Sequence, residues 1–400
     1  MDRRSFLSRS LALGCTAAAS PLVTPVAFAS GPWENRLVVI ILRGGMDGLD
    51  VVRPVGDPDF AALRSPATDG EPPFGTGFYA FHPALAPLAP LWADGSFGAV
   101  HAVSTPYRDK RSHFDGQDIL EAGTGGVNAR RTDGWLNRML HTVPGLSADT
   151  AYAIGQEQML ILEGDAATAR WSPEARLQIS AQARRLLDVV THDDPLFRSA
   201  MDQAVAITDQ LKGDAEAIES ITENMMGDSM MASVAGGQHT KLVEFAVTRL
   251  LSDTRIASFS LNGWDTHQDQ HRSMPRVLSN LSDVILMLRA GLGPVWEKTA
   301  ILCLTEFGRT ARQNGTRGTD HGTGGAVLYA GGALRGGQVN GAWPGLQEAD
   351  LYARRDLMPM GDVRATAGHV MQSLFGFNRE IIEGSIFPGL QMADGPGIVL

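Results

Sequence analysis

Six consecutive apolar residues, Leu37-Val38-Val39-Ile40-Ile41-Leu42, run without a polar break. Such a run leaves no face for water, so it predicts a strand covered on both sides. Ala300-Ile301-Leu302-Cys303-Leu304 and Ala326-Val327-Leu328-Tyr329-Ala330 have the same character. Phe97–Val103 and Ile256–Leu261 are further strand candidates, and helical spacing over 242–251 and 274–288 lies between them. The alternation of strand and helix predicts an α/β fold with a doubly wound, mostly parallel sheet. From Pro173 to about Asp228 the chain reads helical, with Leu177, Ala181, Leu186 and Val190 at helical spacing. The stretch of about 170–255 is therefore expected to be a helical insertion capping one edge of a single domain over 30–400.

Polar residues gather where the apolar runs stop. Asp47 and Asp50 follow 37–42; Ser112, His113 and Asp115 follow 97–103. Asp265, His267, Asp269 and His271 come after 256–261, Glu306 and Arg309 after 300–304, and Asp320 and His321 lie in a glycine-rich loop. In open α/β sheets ligands bind outside the carboxyl ends of the strands, so parallel strands would bring these loops to one rim. Asp, Glu and His together suit a divalent cation: zinc, manganese, magnesium or calcium. Each group alone has a plainer reading. Asp47 among glycines can stabilise a turn, and Ser112 can cap the helix that follows it.

The N-terminal residues carry an export address. Arg3-Arg4-Ser5-Phe6-Leu7, a weakly apolar stretch from Leu11 to Ala19, and Ala27-Phe28-Ala29 form a twin-arginine signal peptide over 1–29. The apolar stretch is broken by Ser10, Thr16, Ser20 and Pro21, so no stable membrane span is expected. The expected location is periplasmic or secreted, with the twin-arginine translocase as export partner. That route carries folded proteins, which suits a metal captured before export. Net charge is −10, and an acidic chain argues against nucleic acid, whose binding rests on Lys and Arg. Of two cysteines, Cys15 leaves with the signal and Cys303 sits in an apolar run, so no internal disulfide can form. Met225, Met226, Met230 and Met231 read as gap-filling side chains.

Five motifs in order carry a family resemblance: Leu-Arg-Gly-Gly-Met-Asp-Gly-Leu-Asp (42–50), Ser-His-Phe-Asp-Gly-Gln (112–117), Gly-Trp-Asp-Thr-His (263–267), Thr-Glu-Phe-Gly-Arg-Thr (305–310) and Asp-His-Gly-Thr-Gly (320–324). The chain resembles the domain of unknown function 1501 family, twin-arginine-exported bacterial proteins that are sulfatase-like and belong to the alkaline phosphatase superfamily. The resemblance implies an alkaline-phosphatase-like fold and a metal-dependent hydrolase of a phosphate or sulfate ester. It also implies roles. Asp47, Asp265, His267, Glu306, Asp320 and His321 would hold metal, with Asp269 and His271 in reserve. Ser112, beside His113, would be the nucleophile, with Thr105 in reserve, and Arg309 would hold the anion. Phe307 stands where the superfamily places a metal ligand, the Asp265-to-His267 spacing is short, and no sulfatase-type cysteine motif is present. These departures argue against a two-zinc phosphatase and a formylglycine sulfatase, and leave open a one-metal site or one metal filled differently by Asp320 or Asp269. The expected substrate is a small anionic ester. The alternative is a non-catalytic binding or assembly protein on a retained hydrolase fold.

Overall fold

The computed structural model describes residues 32–64, 70–108, 110–126, 132–173, 238–393 and 395–400. The signal peptide, most of the expected helical insertion and the methionine group lie outside the described residues.

Eleven strands are present among them: β1 Arg36–Arg43, β2 Val52–Arg53, β3 Ala80–Phe81, β4 Phe97–Ser104, β5 Ala151–Ile154, β6 Ala169–Trp171, β7 Ile256–Asn262, β8 Thr299–Leu304, β9 Gly325–Ala330, β10 Val339–Asn340 and β11 Gly361–Asp362. Strands β2 and β3 form a small ribbon. The other nine form one sheet in the order β10-β4-β9-β8-β1-β7-β5-β6, with β11 also on β4. The central strand is the six-residue apolar run. Its even residues Val38, Ile40 and Leu42 enter one core, and Leu37, Val39 and Ile41 enter the other. Helices Gln238–Leu251 and Gln270–Leu292 cover the first face through Val243, Ala246, Leu281 and Leu288. Helices Trp135–His141 and Val363–Phe375 cover the second through Leu136, Met139, Val370 and Met371. Both faces of β1 are buried, as a run with no polar position requires.

One boundary needs correction. Residues 169–171 are an edge strand paired with β5 (Tyr152↔Ala169, Ile154↔Trp171), so the region read as a helical insertion opens with strand. Trp171 then stacks flat on Phe245, with ring centroids 4.1 Å apart, which anchors that edge to a helix. The sheet is mostly parallel, as expected, and β9 is its exception, running antiparallel to both β8 and β4. This reversal positions the candidate site. The loop carrying Asp320 and His321 precedes β9, and a reversed strand starts at the rim where its neighbours end. Among the described residues no helix is long and apolar enough to cross a membrane.

Candidate metal centre

Close backbone packing draws the rim loops together. Gly44 has φ +122°, and a Cβ there would lie 2.5 Å from the backbone nitrogen of Asp265. At Gly308 a Cβ would meet the Gly324 carbonyl oxygen at 1.9 Å. These glycines let the loops after β1, β7 and β8 and before β9 touch.

Four side chains converge on the rim. His113 opens the helix His113–Ala122, Asp265 and His267 follow β7, and His321 precedes β9. Ligand-capable atoms of His113, Asp265 and His321 all lie within 4.8 Å of one another. His267 Nε2 is 2.9 Å from His321 Nε2 and 3.1 Å from Asp265 Oδ1.

The partners of each ring define where its lone pair points. His113 Nδ1 lies 2.8 Å from Glu306 Oε1, and His321 Nδ1 lies 2.8 Å from the Arg111 carbonyl. A carboxylate and a carbonyl only accept, so both Nδ1 atoms donate. His267 Nδ1 faces Asp320 Oδ1 at 3.4 Å, in the same sense. Each ring, when neutral, then carries its lone pair on Nε2. All three Nε2 atoms face the Asp265 carboxylate or each other. His113 Nε2 is buried, 3.4 Å from Asp265 Oδ2, and has no hydrogen-bond partner. Two such lone pairs 2.9 Å apart beside a carboxylate repel until a proton or a metal cation is shared between them. Imidazoles held through Nδ1 by carboxylate or carbonyl, with Nε2 inward, are the arrangement that orients metal ligands. Two imidazoles and one carboxylate within 4.8 Å of one another, with the His267 ring beside two of them, suit a borderline cation such as zinc.

The surroundings tune these groups. The hydrogen bond to Glu306 pushes the His113 pKa up, whereas burial pushes that of His321 down. Burial alone would raise Asp265, but hydrogen bonding and charge from Arg309 bring its carboxyl below the usual range. Burial would likewise raise Glu306, and the His113 hydrogen bond lowers it, so its carboxylate is kept ionised. Phe307, buried, stacks against His113 with centroids 5.1 Å apart and lies 4.9 Å from His321. Where the resemblance expects a ligand, this phenyl ring is a platform for two imidazoles.

The structure separates the sequence-derived residues into groups. Asp265, His267 and His321 meet directly. Glu306 and Asp320 stand one contact behind, each against an imidazole Nδ1. Asp47 does not join them: it caps the helix Gly48–Val51, pairs with Arg64 at 2.6 Å and accepts from Gln270 at 2.8 Å. With both oxygens committed in a buried pair, it anchors the first loop. Arg309 is fully buried and cannot receive an anion from solvent. Its guanidinium donates to the carbonyls of Gly44, Gly45, Trp264 and Thr319 and to Asp265 at 2.5 Å. Thr105 donates to the Glu306 carbonyl at 3.0 Å, and Asp269 pairs with Arg317 at 2.6 Å. His271 is exposed on the helix Gln270–Leu292. His113, expected beside a nucleophile, instead presents a ring nitrogen to the cluster. The Arg111 carbonyl was not legible in sequence, since a backbone contact leaves no residue-type signal.

Ser112 accepts from the Asp115 backbone N–H at 3.4 Å as the cap of its own helix. Ser112→Ala is therefore expected to cost ~0.5–2 kcal/mol of stability and to leave metal content and any turnover unchanged. Thermal unfolding beside an ester assay checks this; turnover abolished in a fully stable variant would restore the serine as nucleophile.

Fold and cluster together define an α/β protein with an imidazole-rich polar centre at the carboxyl rim of its sheet. Residues 91–381 match the family described as "Protein of unknown function (DUF1501)", and the chain belongs to that family. No curated protein matches it significantly. Among solved structures, the C-terminal periplasmic domain of EcEptC from Escherichia coli in complex with Zn is 10% identical at a TM-score of 0.31, covering 76% of this chain and 74% of its own. Alkaline phosphatase from the Antarctic bacterium TAB5 is 11% identical at 0.28, covering 75% and 92%. At such TM-scores the likeness carries no argument about chemistry.

Proposed function

We propose that this chain is an exported, metal-dependent hydrolase of a small phosphate or sulfate ester, with one divalent cation held by His113, Asp265, His267 and His321. The observation that carries the reading is the 2.9 Å approach of the His267 and His321 Nε2 atoms beside Asp265. The imidazoles favour zinc or manganese over magnesium and calcium, which prefer oxygen. A cation there supplies Lewis acidity toward an ester oxygen. The chain's own groups do the positioning. Glu306, Asp320 and the Arg111 carbonyl orient the rings, Arg309 fixes Asp265, and Phe307 closes the inner side. Because Ser112 caps a helix and Arg309 is enclosed, water would be the attacking group, and a cation held here would meet the anion without that arginine.

The ester class rests on the sulfatase-like resemblance of the five motifs. Export rests on Arg3-Arg4 and the following residues, with the twin-arginine translocase as partner, residues 1–29 as the leader, and 30–400 as one domain. A second reading, a non-catalytic binding or assembly protein, is favoured by the commitment of both Ser112 and Arg309 to structure. One experiment addresses location and metal together. Cells are fractionated, and the protein recovered outside the cytoplasm is analysed for metal and screened on aryl phosphates, phosphodiesters and sulfates. About one divalent ion per chain, turnover of one ester class, and retention of an Arg3→Lys, Arg4→Lys precursor in the cytoplasm are expected. A metal-bound protein inert on the whole panel would favour the binding reading; a metal-free one would remove the proposal.

A further inference from the structure

A cleft of 460 Å³ has Asp320 in its wall. The same carboxylate faces His267. A second wall residue, Arg355, donates to the His321 carbonyl at 3.0 Å. The cleft is thus tied to two of the imidazole-bearing residues. Its volume lies within the range of small-molecule sites and exceeds what a phosphate or sulfate group fills.

The lining chemistry selects the occupant. Arg312, Arg354 and Arg355 are balanced by Asp59, Asp320 and Glu348. A site for a bare anion would carry an excess of one sign. Hydrogen-bonding capacity is left over. Arg312 reaches the Ala62 carbonyl alone, at 3.3 Å, and the exposed Gln347 amide has no protein partner among the described residues. Leu63, Leu346 and Leu351 add an aliphatic strip. Unspent donors and acceptors beside an aliphatic strip suit a hydroxylated ring, since each hydroxyl both donates and accepts while the ring carbons pack on apolar surface.

We propose that this cleft binds the hydroxylated, sugar-like body of the ester whose charged group lies at the imidazole cluster. The inference rests on the ester reading of that cluster. The test is calorimetric binding to zinc-loaded full-length protein of a panel of hexose phosphates and hexose sulfates, against inorganic phosphate, inorganic sulfate and the phenyl esters. At least one hexose ester is expected to bind 10-fold or more tightly than the matching inorganic ion and phenyl ester. Gln347→Ala and Arg312→Ala together should remove that advantage while metal content and inorganic-anion binding stay as in wild type. Inorganic-anion binding without any hexose advantage, or an advantage that survives both substitutions, overturns the cleft assignment and leaves the ester reading standing. Failure of every anion and ester to bind the zinc-loaded protein overturns both.

Discussion

His321→Ala is expected to empty the centre of metal and leave the sheet folded. The side chain lies at the rim, outside the two apolar cores, so its loss opens no core cavity. What it removes is one of three inward-facing imidazoles and the 2.9 Å contact with His267. Loss of an outer partner of a metal ligand typically costs about 10–100-fold in affinity. Loss of a ligand itself is expected to reach at least the upper end of that range. Metal analysis after dialysis should fall from about one ion per chain to near zero, with any ester turnover lost in parallel. Glu306→Gln serves as the graded companion, because it keeps His113 as a ligand and weakens its orienting hydrogen bond. Its affinity should fall between those of wild type and His321→Ala. In every variant binding should weaken as pH falls, since imidazole must be neutral to bind metal. Full metal occupancy in His321→Ala would sink the four-residue assignment.

Much of this architecture was legible because burial on two faces leaves a sequence signature. Strand β1 holds no polar residue between Leu37 and Leu42, so the run announces itself. The rim followed from where such runs stop. Two features escaped for physical reasons. The direction of β9 is not encoded in its composition, because a buried antiparallel strand and a buried parallel one have the same apolar content. The environment of a polar side chain is also silent. Asp47 and Asp265 both follow apolar strands, yet a bidentate Arg64 encloses the first and three imidazoles surround the second. The difference depends on residues 17 positions away in one case and on three separate loops in the other. His113 was visible as a candidate, but its role turned on Glu306, which lies 193 residues along the chain.

Arg309 is where sequence and structure give opposite expectations, and one substitution decides between them. The resemblance assigns it to anion binding. In the fold its side chain is fully enclosed and spans four carbonyls from three loops, and its remaining contact is Asp265. Arg309→Met keeps most of the volume and removes every donor. The carbonyls of Gly44, Gly45, Trp264 and Thr319 then lose a buried partner, at ~1–3 kcal/mol for each group left unsatisfied. Water and small shifts recover part of that cost, and the half-exposed ion pair with Asp265 adds little. A net loss of about 3–5 kcal/mol is expected, mostly from the four buried carbonyls left without a donor. Arg309→Lys should recover only a fraction, because an ammonium cannot reproduce the planar fork that reaches several loops at once. Asp265 should lose its low pKa with the arginine and become a poorer ligand. The measurement is the urea midpoint and slope, with metal content determined on the folded fraction. A drop in midpoint at unchanged slope, together with weaker metal binding, identifies Arg309 as the brace that holds the rim loops in register. A variant of wild-type stability and metal content that has lost anion binding would instead return the residue to the role the sequence assigned it.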